Sequence, residues 1–235
     1  MPTTAEVKLI RELGHVRRLH EERGASPILA ASLDRVADWQ ARRLNATYAD
    51  LVRNPRYAKA IVFFQSDLYG PGDFSRRDAD LARVVPLMVR VLPEGVIATI
   101  AMAMELSALA QELDRKLLDK LDATAPFTVA AYCAAYRSCT NRHEREQQIA
   151  LIVATGRALD RYVNKPLIRR TLALMRQPAR IAGLGSLQAF LERGLAGFAS
   201  MHGADEFLAT IEARESALME AIFAGNRAPF PDPLA

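Results

Sequence analysis

The sequence predicts an all-α fold, on three observations. No stretch alternates apolar and polar residues as a half-buried strand would. Apolar residues recur instead with the 3.6-residue period of a helix, and prolines and capping residues punctuate those stripes at helix starts. Half of the 235 residues are hydrophobic and a quarter are charged, so there is enough chain for a core that needs no disulfide or metal staple. The expectation is a single-domain bundle of about nine helices over residues 1–225, with a Pro-rich extended tail at 226–235.

Residues 4–23 form an amphipathic first helix, with Val7, Ile10, Leu13 and Val16 or Leu19 facing inward and Gly24 closing it. Ser26 before Pro27 is an N-cap followed by proline at the first helical position. It opens a helix to about Arg53 that carries Leu29, Leu33, Val36, Trp39, Leu44 and Tyr48. Asn54-Pro55 repeats the signal for a helix over 55–69, with Tyr57, Ile61, Phe64 and Leu68 on one face and Gly70-Pro71 as its stop. Ser75 and Asp78 have capping-box spacing ahead of a helix over 76–92, which Pro86 should kink.

Pro93 starts the most apolar helix, running to about Lys120. Thr124 and Pro126 begin another, Asn141 with Glu144 caps one to Asn164, and Lys165-Pro166 opens a short one to Gln177. Gly183, Gly185, Gly194, Gly197, Gly203 and Gly225 fall in the last third. Inside a helical pattern, Gly194 and Gly197 imply either a close backbone approach or a broken helix. Asp205 is placed to cap a last helix to Phe223, and the tail with Pro229, Pro231 and Pro233 reads as extended and mobile. Segments 95–110, 127–136 and 149–159 are nearly apolar all round and are expected to be central helices.

Composition narrows the function classes. The net charge is only +4, and basic and acidic residues alternate along most of the chain, so nucleic-acid binding is disfavoured. The chain has 26 Arg against 5 Lys, which with its many alanines reads as the coding bias of a bacterium of high genomic GC. The N-terminus lacks a signal pattern and the longest uncharged run, 123–136, is too short for a bilayer, so the expectation is a cytoplasmic protein with no membrane partner. Cys133 and Cys139 are six apart in one helix, too far apart for a disulfide, and read as small buried hydrophobes.

The densest segment is 63–78, Phe-Phe-Gln-Ser-Asp-Leu-Tyr-Gly-Pro-Gly-Asp-Phe-Ser-Arg-Arg-Asp. It resembles the signature of a bacterial family known by a Phe-Phe-Leu-Glu-Glu-Leu-Tyr motif. Phe63, Phe64, Leu68 and Tyr69 match by identity and Asp67 by charge, whereas Gln65 and Ser66 depart. That resemblance implies a family and carries over no catalytic residue. Core packing accounts for Phe64 and Leu68, and helix stopping and capping for Gly70, Pro71, Ser75 and Asp78, leaving Tyr69, Asp73, Phe74, Arg76 and Arg77 over. Two arginines in a first helical turn oppose the helix dipole and need pairing, with Asp80 placed for Arg76 and Asp73 for Arg77. The turn is therefore either a structural clamp or a ligand or partner contact.

Glu105 interrupts the most apolar helix and calls for an arginine partner. Tyr132, Tyr136, Arg137, Arg142 and Arg145 surround the turn between two central helices, beside His143, a composition suited to anionic ligands or to helix-to-helix contacts. Glu12 and His15 have di-iron spacing, but no second copy exists, so no metal or other cofactor is expected. Neither a Walker sequence nor a nucleophile elbow is present, and no complete catalytic set appears, so enzymatic activity is left open. The functional expectation is binding to a protein partner or to a second copy, through the 69–78 turn or the Gly-rich C-terminal third. The alternative is a pocket for a small anionic ligand, binding or enzymatic, joining Glu105 to the two arginine-bearing turns.

Overall fold

Helix starts follow local chemistry. In the computed structural model, which describes residues 2–68, 74–121 and 125–234, Thr3 and Asn141 each complete a capping box with Glu6 and Glu144. Ser26, Asn54 and Thr128 accept the backbone N–H of Leu29, Arg56 and Ala131. These starts set α1 (Thr4–Gly24), α2 (Pro27–Thr47), a single turn α3 (Ala49–Val52) and α4 (Pro55–Phe63), which runs on into a π turn (Phe64–Leu68). Then come α5 (Ser75–Val91), α6 (Glu94–Leu118), α7 (Val129–Cys139), α8 (Arg142–Val163), α9 (Pro166–Ile181), α10 (Gly185–Ser200) and α11 (Asp205–Phe223). Among the described residues there is no strand, and the fold is all-α.

The helix count exceeds the expected nine because Tyr48 breaks the second helix and the Gly-rich segment forms a full helix, α10. Two caps differ as well. Phe74 and Ala204 occupy the N-cap positions of α5 and α11 without a side-chain bond, so neither Ser75 nor Asp205 caps its helix. α9 continues through Pro178 to Ile181, because the proline lies on the exposed side where a lost backbone bond is replaced by water. On α1 the buried stripe is Leu9, Glu12, Leu13 and Val16, while Val7 and Ile10 face solvent.

α6 runs through the middle, against α1, α2, α7 and α8. Among the described residues it is the one helix long and apolar enough to cross a membrane by length and composition. Here its Ile97, Ala101, Met104, Ala108, Leu113 and Leu117 are buried among its neighbours. One part of the core gathers Trp39, Leu117, Tyr132, Cys133, Ile149 and Met219. A second joins Tyr57, Ile61, Phe198, Met201 and Phe207, and a third joins Leu9, Leu13, Leu81, Ile97 and Leu187.

α10 lies across α4, and here the sequence's alternatives resolve into close approach. A Cβ on Gly197 would lie 3.2 Å from the Ala60 Cα and 3.3 Å from the Lys59 carbonyl, and one on Gly194 would meet the Phe63 ring. The tail is not loose as expected. Its Phe230 is buried against Trp39 and Tyr132.

Candidate functional site

The motif segment builds an internal clamp. The π turn that ends α4 turns Asp67 inward, where Arg193 of α10 binds its carboxylate at 2.5 and 3.0 Å. Arg77 reaches the same turn, its Nη1 donating to the Asp67 carbonyl at 2.7 Å and its Nε to the Asp78 carboxylate at 2.8 Å. The guanidinium lies between the rings of Phe74 and Phe190, 4.7 and 4.6 Å from their centroids. Asp78, nearly buried, also meets the His20 Nε2 of α1 at 2.9 Å. α1, the π turn, α5 and α10 are thus tied through two arginines, two aspartates and His20.

For Arg76 the pairing differs from the local one the spacing suggested, whereas Asp73, the local partner expected for Arg77, lies outside the described residues. Arg77 uses Asp78 and a backbone carbonyl, Asp80 pairs with Arg83, and Arg76 is exposed. Tyr69 and Asp73 lie outside the described residues.

The second arginine-bearing turn is also engaged by the fold. Tyr132 stacks on Trp39 at 4.4 Å, and Tyr136 lies under the Arg145 guanidinium at 4.0 Å. Arg145, buried, donates to Gln148 and Thr140. Arg137 donates to the Ile222 carbonyl, and Arg142 pairs with Glu220 over the Phe223 ring, so both fasten α11. His143 is exposed in the first turn of α8.

Nearby, Arg43 is paired with Glu215 at 2.7 Å, and the Tyr48 hydroxyl donates to the same oxygen at 2.6 Å. Burial pushes the Glu215 carboxyl up, but the Arg43 charge and these two bonds outweigh it and hold the group below the usual range. Asp114 goes the other way. Burial raises it to about 6, against the opposing Gln40 hydrogen bond and the Arg145 charge.

Glu105 belongs to neither cluster. Its partner is Lys8 of α1 at 2.7 Å, and not an arginine. His15, similarly, meets Glu112 at 3.0 Å. Among the described residues no three His, Cys, Asp or Glu side chains are grouped to hold a metal ion. The structure therefore brings Phe74 to Arg77 and Tyr132 to Tyr136, while Glu105 is paired separately at the interface of α1 and α6.

What the clamp holds up is the edge made by α9 and α10. Arg193 fastens α10 to the π turn, Arg83 donates to the Ala182 carbonyl at the α9–α10 corner, and Gln188 of α10 donates to the Leu172 carbonyl of α9. α9 is amphipathic, yet α10 covers only the side bearing Leu172 and Ala179. Leu174 and Ile181 are 78% and 83% exposed, and Met175 is 44% exposed. On one flank of this strip Arg169, Arg170 and Arg180 are exposed, while Arg176 is paired with Glu192.

The sequence carried a signal for this edge that the charge reading passed over. From Arg161 to Leu191 the chain holds Arg161, Lys165, Arg169, Arg170, Arg176 and Arg180 and not one Asp or Glu. That segment alone exceeds the net +4 of the chain, so the remainder is net acidic. His20, Asp67, Asp78 and Arg193 were missed as a cluster because they come together only in the folded chain.

Fold and site define an all-α bundle with an internal arginine clamp and one cationic amphipathic helix at its edge. The chain belongs to the family described as Domain of unknown function (DUF8198), whose model matches residues 19–229. No curated protein and no solved structure matches it.

Proposed function

We propose that the protein works by binding a partner protein, and that the outward face of α9 is where the partner docks. One observation carries this reading: a helix amphipathic enough to be fully packed leaves Leu174, Met175 and Ile181 in solvent, with arginines along one flank and no acidic residue in the helix. Exposed apolar side chains flanked by cations match an acidic amphipathic helix, whose apolar stripe covers Leu174, Met175 and Ile181 while its carboxylates meet the arginines. A second copy presenting the same face would set arginine against arginine, which favours a different, acidic protein over self-association through α9.

The test is titration of the full chain with a labelled acidic amphipathic peptide, with leucines at helical spacing and glutamates between them, read by fluorescence anisotropy. Leu174→Asp with Ile181→Asp should weaken binding by about tenfold or more, since central apolar anchors carry most of an interface's energy. Added salt should weaken it further. Unchanged binding by the double variant overturns the proposal. So does capture of the chain by phosphatidylglycerol vesicles or duplex DNA with none by the peptide.

A further inference from the structure

Beyond the α9 face, we infer that residues 226–234 are a releasable strap, and that the slot filled by Phe230 is a binding site for an extended, proline-rich segment bearing an aromatic side chain. In this structure the chain's own tail occupies that site. After α11 ends at Phe223, Gly225 at φ 93° turns the chain, a left-handed conformation suited to glycine. Phe230 then enters a slot whose walls are Trp39 and Tyr132, both edge-on to it at 6.1 and 6.0 Å, with the Arg43 guanidinium 5.8 Å from its ring. Beyond the slot, Leu234 lies in a shallow groove of about 200 Å³ that continues over Arg35, Arg42 and Phe127.

The attachment is lopsided. Phe230 is buried, yet the backbone hydrogen bonds of the described residues 227–234 are local: Ala228 N–H to the Asn226 side chain, and Leu234 N–H to that of Asp232. Pro229, Pro231 and Pro233 have no N–H to give. Among the described residues, one aromatic side chain therefore fastens a stretch whose backbone makes no hydrogen bond to the helical body, a unit expected to open well before that body does. Proline-rich chain is already extended and loses little entropy on docking, and aromatic and arginine walls suit it. Beside the ring, Arg43 is buried, and among the described residues its Nε has no hydrogen-bond partner, a polar valence that Phe230 cannot fill.

Trp39 is the only tryptophan in the chain, so its fluorescence reads the slot directly. In full-length Phe230→Ala, acrylamide quenching of Trp39 should rise while the helical circular dichroism is kept. A synthetic peptide with the sequence of residues 224–235 should then restore protection, and the same peptide with alanine for the phenylalanine should bind at least about tenfold more weakly. Phe230→Leu, which keeps an apolar plug, supplies the second arm. The parental peptide should displace its weaker tail at concentrations that leave the wild-type chain unaffected, because the wild-type tail acts at high effective concentration. If Phe230→Ala loses its helical signal and Phe230→Leu ignores the peptide, Phe230 is an ordinary core residue and the inference fails. It fails equally if both variants stay folded and neither binds. The outcome at α9 does not bear on this result.

Discussion

Arg77 sits where a first-turn arginine is electrostatically unwelcome, and its surroundings show why it is kept there. Its two hydrogen bonds end on the π turn and on Asp78, and its flat face fills the gap between Phe74 and Phe190. Arg77→Ala removes the bonds and the packing together and, among the described residues, leaves Asp78 with His20 as its remaining side-chain partner. A loss of about 2–4 kcal/mol in urea unfolding is expected. Arg77→Lys should recover only part of it, because an ammonium can neither stack between two rings nor bond in two directions at fixed angles. A variant that binds the acidic peptide normally but melts early would place Arg77 in the scaffold. One that melts normally but does not bind would place it in the interface.

Among the elements, α10 depends most on a missing side chain. Ordinarily Gly→Ala inside a helix gains about 1 kcal/mol. At Gly14 of α1 the nearest heavy atom to an added Cβ is the Arg18 guanidinium at 4.0 Å, so Gly14→Ala should raise the melting temperature. At Gly197 the Cβ would press on the backbone of α4, which cannot move aside as a side-chain end can, and Gly197→Ala should lower it at a cost of about 1–3 kcal/mol. Thermal melts of the two variants side by side check the sign of each.

How much of this was legible depended on distance along the chain. The starts at Ser26-Pro27, Asn54-Pro55 and Asn141 were readable because a cap and its target lie within three residues. The inward face of α1 was not. Glu12 occupies its buried stripe, and Lys8 and His15 are engaged by carboxylates on α6, so hydrophobicity alone pointed to the wrong phase. The clamp residues His20 and Asp78 are 58 positions apart, and Asp67 and Arg193 are 126 apart, separations that no local pattern encodes. The tail misled for a related reason: three prolines look mobile unless the slot awaiting Phe230 is known.

For the molecule as a whole, two half-buried carboxyls give opposite pH slopes. Asp114 rises to about 6 in the folded chain, so between about pH 4 and 6 the folded state binds more protons than the unfolded one. Stability should therefore increase as pH falls through that window, and the charged form should cost about 1–2 kcal/mol at neutral pH. Glu215, held below the usual range, contributes stability present above the ordinary carboxyl value and lost as pH falls through its own lower one. Urea unfolding from pH 8 to 3 should thus show a maximum on the acidic side of neutrality. Asp114→Asn should flatten the limb between pH 4 and 7 and raise stability at pH 7.5. An unaltered limb would show that Asp114 is not the group responsible.

The seating of α10 on α4 also bears on how the chain finds its fold. Arg56, in the first turn of α4, donates to the Met201 carbonyl 145 residues further on, just past the end of α10, and α1 makes its main packing with α6. Helical proteins usually fold fast because neighbours in sequence are neighbours in space. Here the first helices have to wait for partners much later in the chain, and the loop-closure entropy is lost before the contacts that compensate it are made. Until α10 arrives, the apolar side of α4 lacks its main cover, and that interval exposes the chain to aggregation.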